Sequence, residues 1–560
     1  MSYKIHIKDS KYSEWEIYDL ITNDLTKLDI NPIEKKILSG DIIDTYGNIL
    51  SSSIGNAKNL AGILILKGKT YGRAKNGIGK FYYKCIPNDK RLPAFLIPYE
   101  NKQTGFSKVV TNKYILFKYN NWDSKHPIGT LNNIIGDVTN LTAFYEYQLH
   151  CKDLVKPFKQ FINAVNKANK EYGTNIYNKL LISNPNIIDR RNEYIISIDS
   201  AGSTDLDDAF SLKGDVISVY VANVPILLDY FNLWDSFSER ISTIYLPDRK
   251  CPMLPALLSE NLCSLLENEE RLAFCIDIKI NDGNIVDIEY KNTLIKVAKN
   301  YIYNEEKLNS DSIYKSIFDI IVRLNKKCKY IREIVDSHHV VAYLMLLMNV
   351  KCADKLQEFK TGIYRSINLK ENNITQPNNI PSDIYDFIKI WQTSSGQYTN
   401  FKENIGHQLI NSGLDSYIHI TSPIRRLVDL LNMLKLQEKL KLLNNSERSL
   451  EFYNYWENQL EYINTTMRAI RKIQTDCNML NICVSNSSML DTIYNGYIFD
   501  KIDRPHKLYQ YTVYIPEIKM FSRVKIKQQF VNYTCCKFKL YLIQDGVTLK
   551  RKIRLEIIND

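Results

Sequence analysis

The sequence has no long apolar run. Its 560 residues contain no stretch approaching the roughly 18 apolar residues that a membrane-spanning helix needs. The N-terminal segment MSYKIHIKDS has neither an apolar core nor a small-residue cleavage site, so a signal peptide is not expected. The eleven cysteines include no CxxC pair, which argues against zinc and predicts reduced thiols rather than disulfides. These absences predict an intracellular protein, cytoplasmic or nuclear, that has no membrane partner.

Internal repeats and low-complexity linkers are also absent, which excludes a solenoid and a disordered or fibrous chain. A hydrophobic content of 44% and a charged content of 24% are ordinary globular values, and the length predicts about three or four domains. Lys and Arg outnumber Asp and Glu by 73 to 62, and this net charge of +11 favours a polyanionic partner without requiring one. The 38 tyrosines suit base stacking, but the abundance of Asn, Ile and Lys favours a bias in genome base composition instead.

Two parts of the chain show short apolar strands separated by turns. Residues 61–119 predict a small barrel, and the last 70 residues predict a second one. The first carries eight Lys/Arg against one acid over 58–90, interrupted by an aromatic triplet at 81–83, and residues 491–560 carry thirteen Lys/Arg against seven Asp/Glu. A basic surface with aromatic platforms binds single-stranded nucleic acid. A solvated barrel face is the alternative explanation of the same residues.

The rest of the chain mixes helical and strand patterns. Residues 155–185 predict helix, and apolar residues at helical spacing predict one long helix over 450–483. A strand ending at Asp199 and a second strand over 216–224 precede further alternating elements, so the centre of the chain predicts an α/β domain. Residues 1–55 are predicted to be an irregular helical arm.

The segment IDSAGSTDLDDAFSL concentrates acidic residues directly after an apolar strand. It places Asp199, Asp205, Asp207 and Asp208 within ten residues. Each pair of such charges at ~4 Å repels by about 1 kcal/mol in water and by roughly 4 kcal/mol at an effective dielectric constant of 20, so a fold that gathers them needs a cation. Oxygen ligands predict Mg²⁺, with Mn²⁺ as the alternative ion, and two such ions serve in-line attack on phosphodiesters. A solvated turn and a calcium loop are the alternatives, but the spacing does not match an EF-hand.

A second notable segment, YIHITSPIRRLVDLLNMLKL, covers residues 417–436. Pro423 suits the first turn of a helix, and Arg425 and Arg426 are expected to project from its first turns. Because arginine at a helix N-terminus opposes the helix dipole, an anion such as a phosphate is expected to compensate. The alternative is a structural ion pair, for instance between Arg425 and Asp429 one turn later.

Together these segments resemble the ribonuclease II (RNB) family of 3′-to-5′ exoribonucleases. The loop IDSAGSTDLDDAF is similar to the family's acidic signature, and HITSPIRRL is similar to its second signature. The intervening segment 240–274, RISTIYLPDRKCPMLPALLSENLCSLLENEERLAF, is similar to the family almost residue by residue. KRLPAFLIP and WDSKHPIGTLNNIIGD resemble the second cold-shock barrel of the eukaryotic branch, which includes the catalytic subunit of the RNA exosome. The resemblance covers roughly residues 56–560.

This resemblance implies a multidomain fold of the α/β plus β class. A large α/β RNB catalytic domain at 151–488 would be flanked by a cold-shock-like OB-fold barrel at 56–150 and by a C-terminal OB-fold RNA-binding barrel at 489–560. Residues 1–55 would be an N-terminal arm or a reduced cold-shock domain. Some relatives carry a PIN endonuclease domain before the barrels, and the short N-terminal segment predicts that this chain lacks one.

The resemblance also implies catalytic roles. Asp199, Asp205, Asp207 and Asp208 match the quartet that holds Mg²⁺ and the scissile phosphate. Arg425 matches the arginine that stabilises the charge developing on that phosphate. The implied reaction is hydrolysis, in which a metal-activated water attacks the last phosphodiester and the 3′-terminal nucleotide leaves as a 5′-monophosphate.

Three further residues match RNA contacts of the family. Tyr303 matches the aromatic residue that stacks on the 3′-terminal base, Tyr245 matches one that wedges against the RNA, and Arg426 would support the phosphate path. The implied partner is single-stranded RNA, which would be bound without sequence preference through its backbone and by base stacking. The chain itself is expected to be a monomer.

Several positions depart from the family pattern. They lie along the implied RNA path, so they favour an alternative in which the protein is a catalytically weakened RNA-binding or scaffold protein on the same fold. The departures are Asn223 in place of Asp, Tyr343 in place of Glu, Ile367 in place of His, Leu427 in place of an aromatic residue, Asn432 and Met433 in a segment that reads DLLNM where the family has DLLxHR, and Gln474 in place of Glu.

Overall fold

The computed structural model describes residues 1–74, 79–100, 110–366, 380–381, 384–385, 387–388, 396–402, 407–409, 412–414, 416–545 and 549–558. Across these residues, no helix is both long enough and apolar enough to cross a bilayer.

The chain begins with an antiparallel sheet, not with the predicted helical arm. Its strands are β1 (Tyr3–Ile7), β2 (Trp15–Asp19), β3 (Leu25–Thr26), β4 (Ile42–Ile43) and β5 (Ile49–Ser51), in the order β3-β2-β1-β4-β5. The prediction is wrong because the strands are short. In β1 the buried side chains are Tyr3, Ile5 and Ile7, which alternate with more exposed ones. An alternation over only five residues is too short to identify a strand from the sequence. A one-turn helix, Ser53–Asn56, leads to the next sheet.

The predicted small barrel is confirmed. Strands β6 (Leu60–Ile65), β7 (Phe81–Pro87), β8 (Phe95–Tyr99), β9 (Lys113–Asn121) and β10 (Ile128–Asp137) close in the order β10-β8-β7-β6-β9. Gly62 lies where a Cβ atom would come within 2.6 Å of Cys85 Sγ, so the interior leaves no room for a side chain there. The barrel and the first sheet share one apolar core, in which Ile5 and Phe117 are fully buried.

A seven-stranded sheet forms the centre of the molecule. In chain order the strands of this region are β11 (Ile187–Arg190), β12 (Ile196–Asp199), β13 (Asp208–Lys213), β14 (Val216–Ala222), the ribbon β15 (Ile244–Tyr245) and β16 (Lys250–Cys251), β17 (Glu270–Asn281), β18 (Asn284–Lys296) and β19 (Lys299–Ile302). The sheet order is β11-β18-β17-β14-β13-β12-β19. Only the outer pairs β11–β18 and β12–β19 are parallel. Helices cover both faces and form two separate apolar cores.

Helices lie between and after the strands along the chain. The α-helices are Leu141–Cys151, Lys159–Tyr172, Ile176–Ser183, Val224–Tyr230, Ser312–Lys327, Ser337–Glu358, Leu427–Lys439, Glu447–Glu457, Leu460–Ser485 and Ser488–Asp491, with short 3₁₀ turns at Trp234–Ser236, Leu308–Ser310 and Pro516–Ile518 and a π-helical turn at Leu257–Leu262. Two ribbons pair β20 (Ile363–Ser366) with β21 (Gln397–Asn400) and β22 (His407–Leu409) with β23 (Ser412–Leu414). The single helix predicted over 450–483 is two helices, because the first ends at Asn458, where the chain turns.

The C-terminal strands form a five-stranded antiparallel sheet. They are β24 (Ile493–Arg504), β25 (Leu508–Ile515), β26 (Met520–Ile526), β27 (Cys535–Gln544) and β28 (Arg551–Ile557), in the order β26-β25-β24-β27-β28. The edge strands β26 and β28 contact each other, so the sheet curls towards the predicted barrel, although no strand ladder joins them in the described residues. The multidomain α/β plus β architecture is confirmed, and the exact domain boundaries stay predictions.

Candidate active site

Two strand ends place acidic side chains at one edge of the central sheet. β12 ends at Asp199 and β13 begins at Asp208, and the two strands pair in antiparallel fashion. The end of one strand and the start of the next therefore lie at the same edge. The connecting loop turns at Gly202, whose φ of +78° is the left-handed conformation that glycine adopts without strain.

Asp207 is held by the segment that was predicted to bind phosphate. Its carboxylate is 2% exposed, and it accepts hydrogen bonds from the Ile424 N–H at 3.1 Å and from Arg425 Nε at 2.9 Å. Burial raises the pKa of Asp207 to about 7, while the nearby Arg425 charge and the Ile424 N–H act in the opposite direction. The two sequence motifs, 218 residues apart, thus meet in one ion pair.

The basic segment differs from its prediction in where the helix begins. The helix starts at Leu427, and Arg426 before it is extended, with φ −137° and ψ 125°. Arg426 is extended because it forms an antiparallel bridge with Ser242. The Asp429 carboxylate accepts hydrogen bonds from the Ser422 N–H at 2.8 Å and from Arg426 Nη2 at 2.7 Å. The predicted alternative pairing of Arg425 with Asp429 is therefore wrong, since Asp429 pairs with Arg426. The same contact directs Arg426 towards Asp429 and not towards Asp207.

Asp199 and Asp208 each have a carboxylate oxygen that lacks a partner. Oδ2 of either residue is buried and accepts no hydrogen bond within the described residues. Burial is the main cause that raises the pKa of Asp199 to about 6 and the pKa of Asp208 well above its ordinary value. A buried carboxylate without a partner is costly, so this pair of oxygens suits a bound cation.

The described side chains do not, however, form a ready-made metal cluster. No three His, Cys, Asp or Glu residues among them stand together in a metal-binding arrangement. Asp207 is paired with Arg425, and Asp205 is paired with Lys250. Mg²⁺ often binds through only one or two carboxylates and keeps several waters, so Asp199 and Asp208 alone fit such an ion.

Asp205 lies between a lysine and a tyrosine. Lys250 Nζ is 3.1 Å from Asp205 Oδ1, and the Tyr245 hydroxyl donates to Asp205 Oδ2 at 3.2 Å. Lys250 belongs to no motif that marks it as a site residue. The signal that could have found it is the LPDRK turn, because Tyr245 and Lys250 face each other across the ribbon β15–β16.

Asp199, Asp205, Asp207 and Asp208 lie together at one edge of the central sheet, which is called the acidic edge below. The two predicted stacking residues are both near this edge. The Tyr245 side chain is exposed, and its backbone N–H donates to Gln474 Oε1 at 3.4 Å. The Tyr303 N–H donates to the Asp199 carbonyl at 3.0 Å. One face of the Tyr303 ring is already covered, because the ring stacks on His338 with centroids 3.8 Å apart and planes 12° apart. His338 is a site residue that no sequence motif marks.

Two departures from the family pattern lie in buried amide clusters. Asn223 donates to Asn292 Oδ1 at 2.9 Å and accepts from Gln437 Nε2 at 3.1 Å. Asn432 bonds both the N–H and the carbonyl of Ile363 and donates to the His419 carbonyl. Both side chains have their hydrogen bonds satisfied, so these substitutions are structural.

The other departures have different surroundings. Tyr343 is buried between helices and donates to the Cys328 carbonyl at 3.2 Å, outside the acidic edge. Leu427 and Met433 are fully buried in the apolar cores. Ile367 lies outside the described residues. Of all the departures named, Gln474 alone bonds a predicted RNA-contacting residue within the described structure, through the backbone of Tyr245.

Comparison with known proteins agrees with this architecture. Residues 187–311 match the RNB domain, and residues 82–146 match the Dis3-like cold-shock domain 2. The DIS3-like exonuclease 2 of Schizosaccharomyces pombe is 30% identical over 267 residues, which are 43% of this chain and 27% of the relative. The human exosome complex exonuclease RRP44 is 29% identical over 258 residues, 44% of this chain and 26% of the relative. The chain therefore contains a region similar to the RNB domain and a region similar to the Dis3-like cold-shock domain 2, and the matched segments span about a quarter of these relatives' length.

Two solved structures share the fold over nearly the whole chain. Mycoplasma genitalium RNase R in complex with ribose-methylated single-stranded RNA has a TM-score of 0.68 at 17% identity, covering 99% of this chain and 100% of that one. The yeast pseudonuclease Ssd1 has a TM-score of 0.59 at 14% identity, covering 94% of this chain and 78% of that one. At these identities the likeness concerns the fold alone, which is found both in a ribonuclease and in a protein described as a pseudonuclease.

Proposed function

We propose that the protein is a 3′-to-5′ exoribonuclease that hydrolyses single-stranded RNA to nucleoside 5′-monophosphates. The observation that carries the proposal is the pair of unpartnered oxygens on Asp199 and Asp208 beside the Asp207–Arg425 ion pair. Exonucleases among the similar proteins support the choice of reaction.

In this proposal each side chain at the acidic edge has a separate task. Asp199 and Asp208 would hold Mg²⁺, which, when bound, neutralises phosphate charge and acidifies the attacking water. Asp207 and the Ser422 hydroxyl orient Arg425, whose guanidinium is hydrogen-bonded to both yet stays 45% exposed. Its remaining N–H groups are thereby positioned to bind a phosphate oxygen as negative charge develops in the transition state.

The basic barrel is proposed to guide the RNA strand. Six Lys/Arg side chains of the segment 58–90 are exposed, and Lys69 lies over the Tyr71 ring at 5.8 Å. Of the aromatic triplet, Phe81 is exposed and Tyr82 is half-buried, whereas Tyr83 is in the core, as strand alternation requires. The exposed basic residues are Lys58, Lys67, Lys69, Arg73, Lys80 and Lys90.

Binding of single-stranded RNA should therefore weaken steeply with salt. Each phosphate contact contributes about −0.7 to the slope of log K against log salt concentration for single strands. Fluorescence anisotropy of a labelled oligonucleotide over a salt series measures that slope. Replacing Lys69 and Arg73 by Gln should make it less negative, whereas the same replacement of Lys326, which is exposed on the helix Ser312–Lys327, should not. A slope near zero for the unmodified protein contradicts an electrostatic RNA path.

The stack of Tyr303 on His338 gives a second expectation. Because His338 covers one face of Tyr303, the 3′-terminal base must use the other face. Tyr303→Ala should lower affinity for a linear RNA by about 1–3 kcal/mol, the usual contribution of one stacked base. His338→Ala should lower it by less, since that ring only supports Tyr303. Circular RNA, which has no 3′ end, is the matched ligand, and an equal loss of affinity for it would reject the 3′-end role.

Digestion of a 5′-labelled single-stranded RNA in Mg²⁺ tests the proposed function. We expect the label to pass through progressively shorter fragments down to a short end product, and we expect circular RNA of the same sequence to resist. Internal cleavage of the circle would mean an endonuclease. Intact linear RNA would reject the exonuclease proposal.

A second candidate is a catalytically weakened RNA-binding protein. It is favoured by Lys250, which occupies the carboxylate of Asp205, and by Gln474, which stands where the family has Glu. This candidate predicts salt-dependent retention of RNA without release of nucleotides. Measured release of 5′-monophosphates from linear RNA excludes it.

A further inference from the structure

The ammonium group of Lys250 has a complete set of partners at the acidic edge. It lies 2.8 Å from Thr204 Oγ1, 3.1 Å from Asp205 Oδ1 and 2.9 Å from Glu260 Oε1. A lysine has three N–H donors, and all three are used here. The side chains of Lys250 and Asp205 are 22% and 11% exposed, so this cation is largely shielded from solvent.

The surroundings fix that geometry from two sides. The ribbon pairs Lys250 with Tyr245, whose hydroxyl bonds the other oxygen of Asp205. The acidic loop is tied to the segment after the π-helical turn, because the Ser264 hydroxyl donates to the Thr204 carbonyl at 2.9 Å and accepts from the Leu206 N–H at 3.0 Å. Burial opposes the charge of Lys250, but hydrogen bonds with Glu260 and Asp205 raise its pKa.

The charges at the acidic edge divide into two groups. Asp207 is paired with Arg425 and Asp205 is paired with Lys250. Asp199 and Asp208 remain, each with one buried oxygen that has no partner in the described structure. Two uncompensated carboxylates match the charge of one divalent ion, whereas a second ion would have to displace Lys250 or Arg425 from its carboxylate.

We propose that Lys250 is a positioning residue that takes the place of a second metal ion at Asp205, so that the acidic edge binds a single divalent cation. The inference rests on the proposed function insofar as Asp199 and Asp208 hold an ion. Lys250 keeps Asp205 directed away from that ion and towards the ribbon. Its removal frees both Asp205 and Glu260 to act as oxygen ligands.

Counting bound Mn²⁺ on the full-length protein without RNA tests this inference. Free Mn²⁺ is followed by electron paramagnetic resonance during titration, and isothermal titration calorimetry gives an independent stoichiometry. We expect one ion per chain for the unmodified protein and one for Lys250→Arg, which keeps a cation at Asp205. We expect two for Lys250→Met, because two carboxylates lose their partner.

A double variant distinguishes ligand chemistry from misfolding. Lys250→Met combined with Asp205→Asn removes the pair without changing the net charge, so one ion should bind with an affinity within about threefold of the unmodified protein. Two ions on the unmodified protein, one ion on folded Lys250→Met, or no ion on either would overturn the inference.

The RNA digestion assay is read separately. If the unmodified protein binds one Mn²⁺ but does not cleave RNA, only the proposed exonuclease function is rejected. If it cleaves RNA and binds two ions, only the proposed role of Lys250 is rejected.

Discussion

Asp208→Asn should abolish RNA hydrolysis and, in a buffer without divalent ions, raise the melting temperature. The substitution keeps the shape of the side chain but removes the charge of a carboxylate whose buried Oδ2 has no partner among the described residues. Without a cation that charge destabilises the fold, so its removal stabilises the protein. With Mg²⁺ present, the unmodified protein should gain stability by linkage to the bound ion, and the variant should not.

Thermal unfolding with and without Mg²⁺, together with RNA digestion, measures both effects. Asp199→Asn is the matched variant and should behave in the same way, because its Oδ2 is also buried without a partner. Asp287→Asn, an exposed position on β18, should change neither readout. A variant at Asp208 that melts lower and still digests RNA would contradict the assignment of this carboxylate.

Arg425→Ala should lower the turnover number by about 10²–10³-fold while leaving RNA affinity nearly unchanged. Loss of one preorganised donor to developing negative charge costs roughly this much in rate. Arg425→Lys keeps the charge but loses the planar fork, so it should recover only part of the rate. Single-turnover kinetics at saturating enzyme separate the chemical step from RNA binding.

The double variant Arg425→Ala, Asp207→Asn controls for the charge that the single substitution leaves behind. Arg425→Ala alone leaves the buried Asp207 carboxylate without a charged partner, because Arg425 is its only side-chain partner in the described structure. The double variant should regain stability without regaining activity. Recovery of turnover in the double variant would mean that Arg425 acts only by neutralising Asp207.

Sequence patterns locate most of the acidic edge because its parts are contiguous in the chain. Asp199, Asp205, Asp207 and Asp208 follow one apolar strand, and strand pairing alone brings the first and last of them together. The first barrel is likewise visible, since its strands have five to ten residues and are rich in apolar residues bounded by turns. Arg425 could be assigned through its motif, but its partner is 218 residues away and emerges only in the fold.

Other features depend on contacts that no local pattern encodes. The extended conformation of Arg426 arises from its antiparallel bridge with the distant Ser242, so the helix begins only at Leu427. Lys250 reaches Asp205 through a two-residue ribbon, and His338 reaches Tyr303 from a helix that begins more than thirty residues later. In the N-terminal sheet the strands have two to five residues, too few for a periodic signal.

The product of RNA digestion tests the central claim most directly. Linear single-stranded RNA is incubated with the protein and Mg²⁺ in ¹⁸O-labelled water, and the released mononucleotides are identified by chromatography and mass spectrometry. Water attack at the phosphorus predicts nucleoside 5′-monophosphates that each carry one ¹⁸O in the phosphate, and it predicts none from Asp208→Asn. Nucleoside 3′-phosphates, cyclic phosphates, unlabelled monophosphates or undigested RNA would contradict a hydrolytic 3′-to-5′ exoribonuclease.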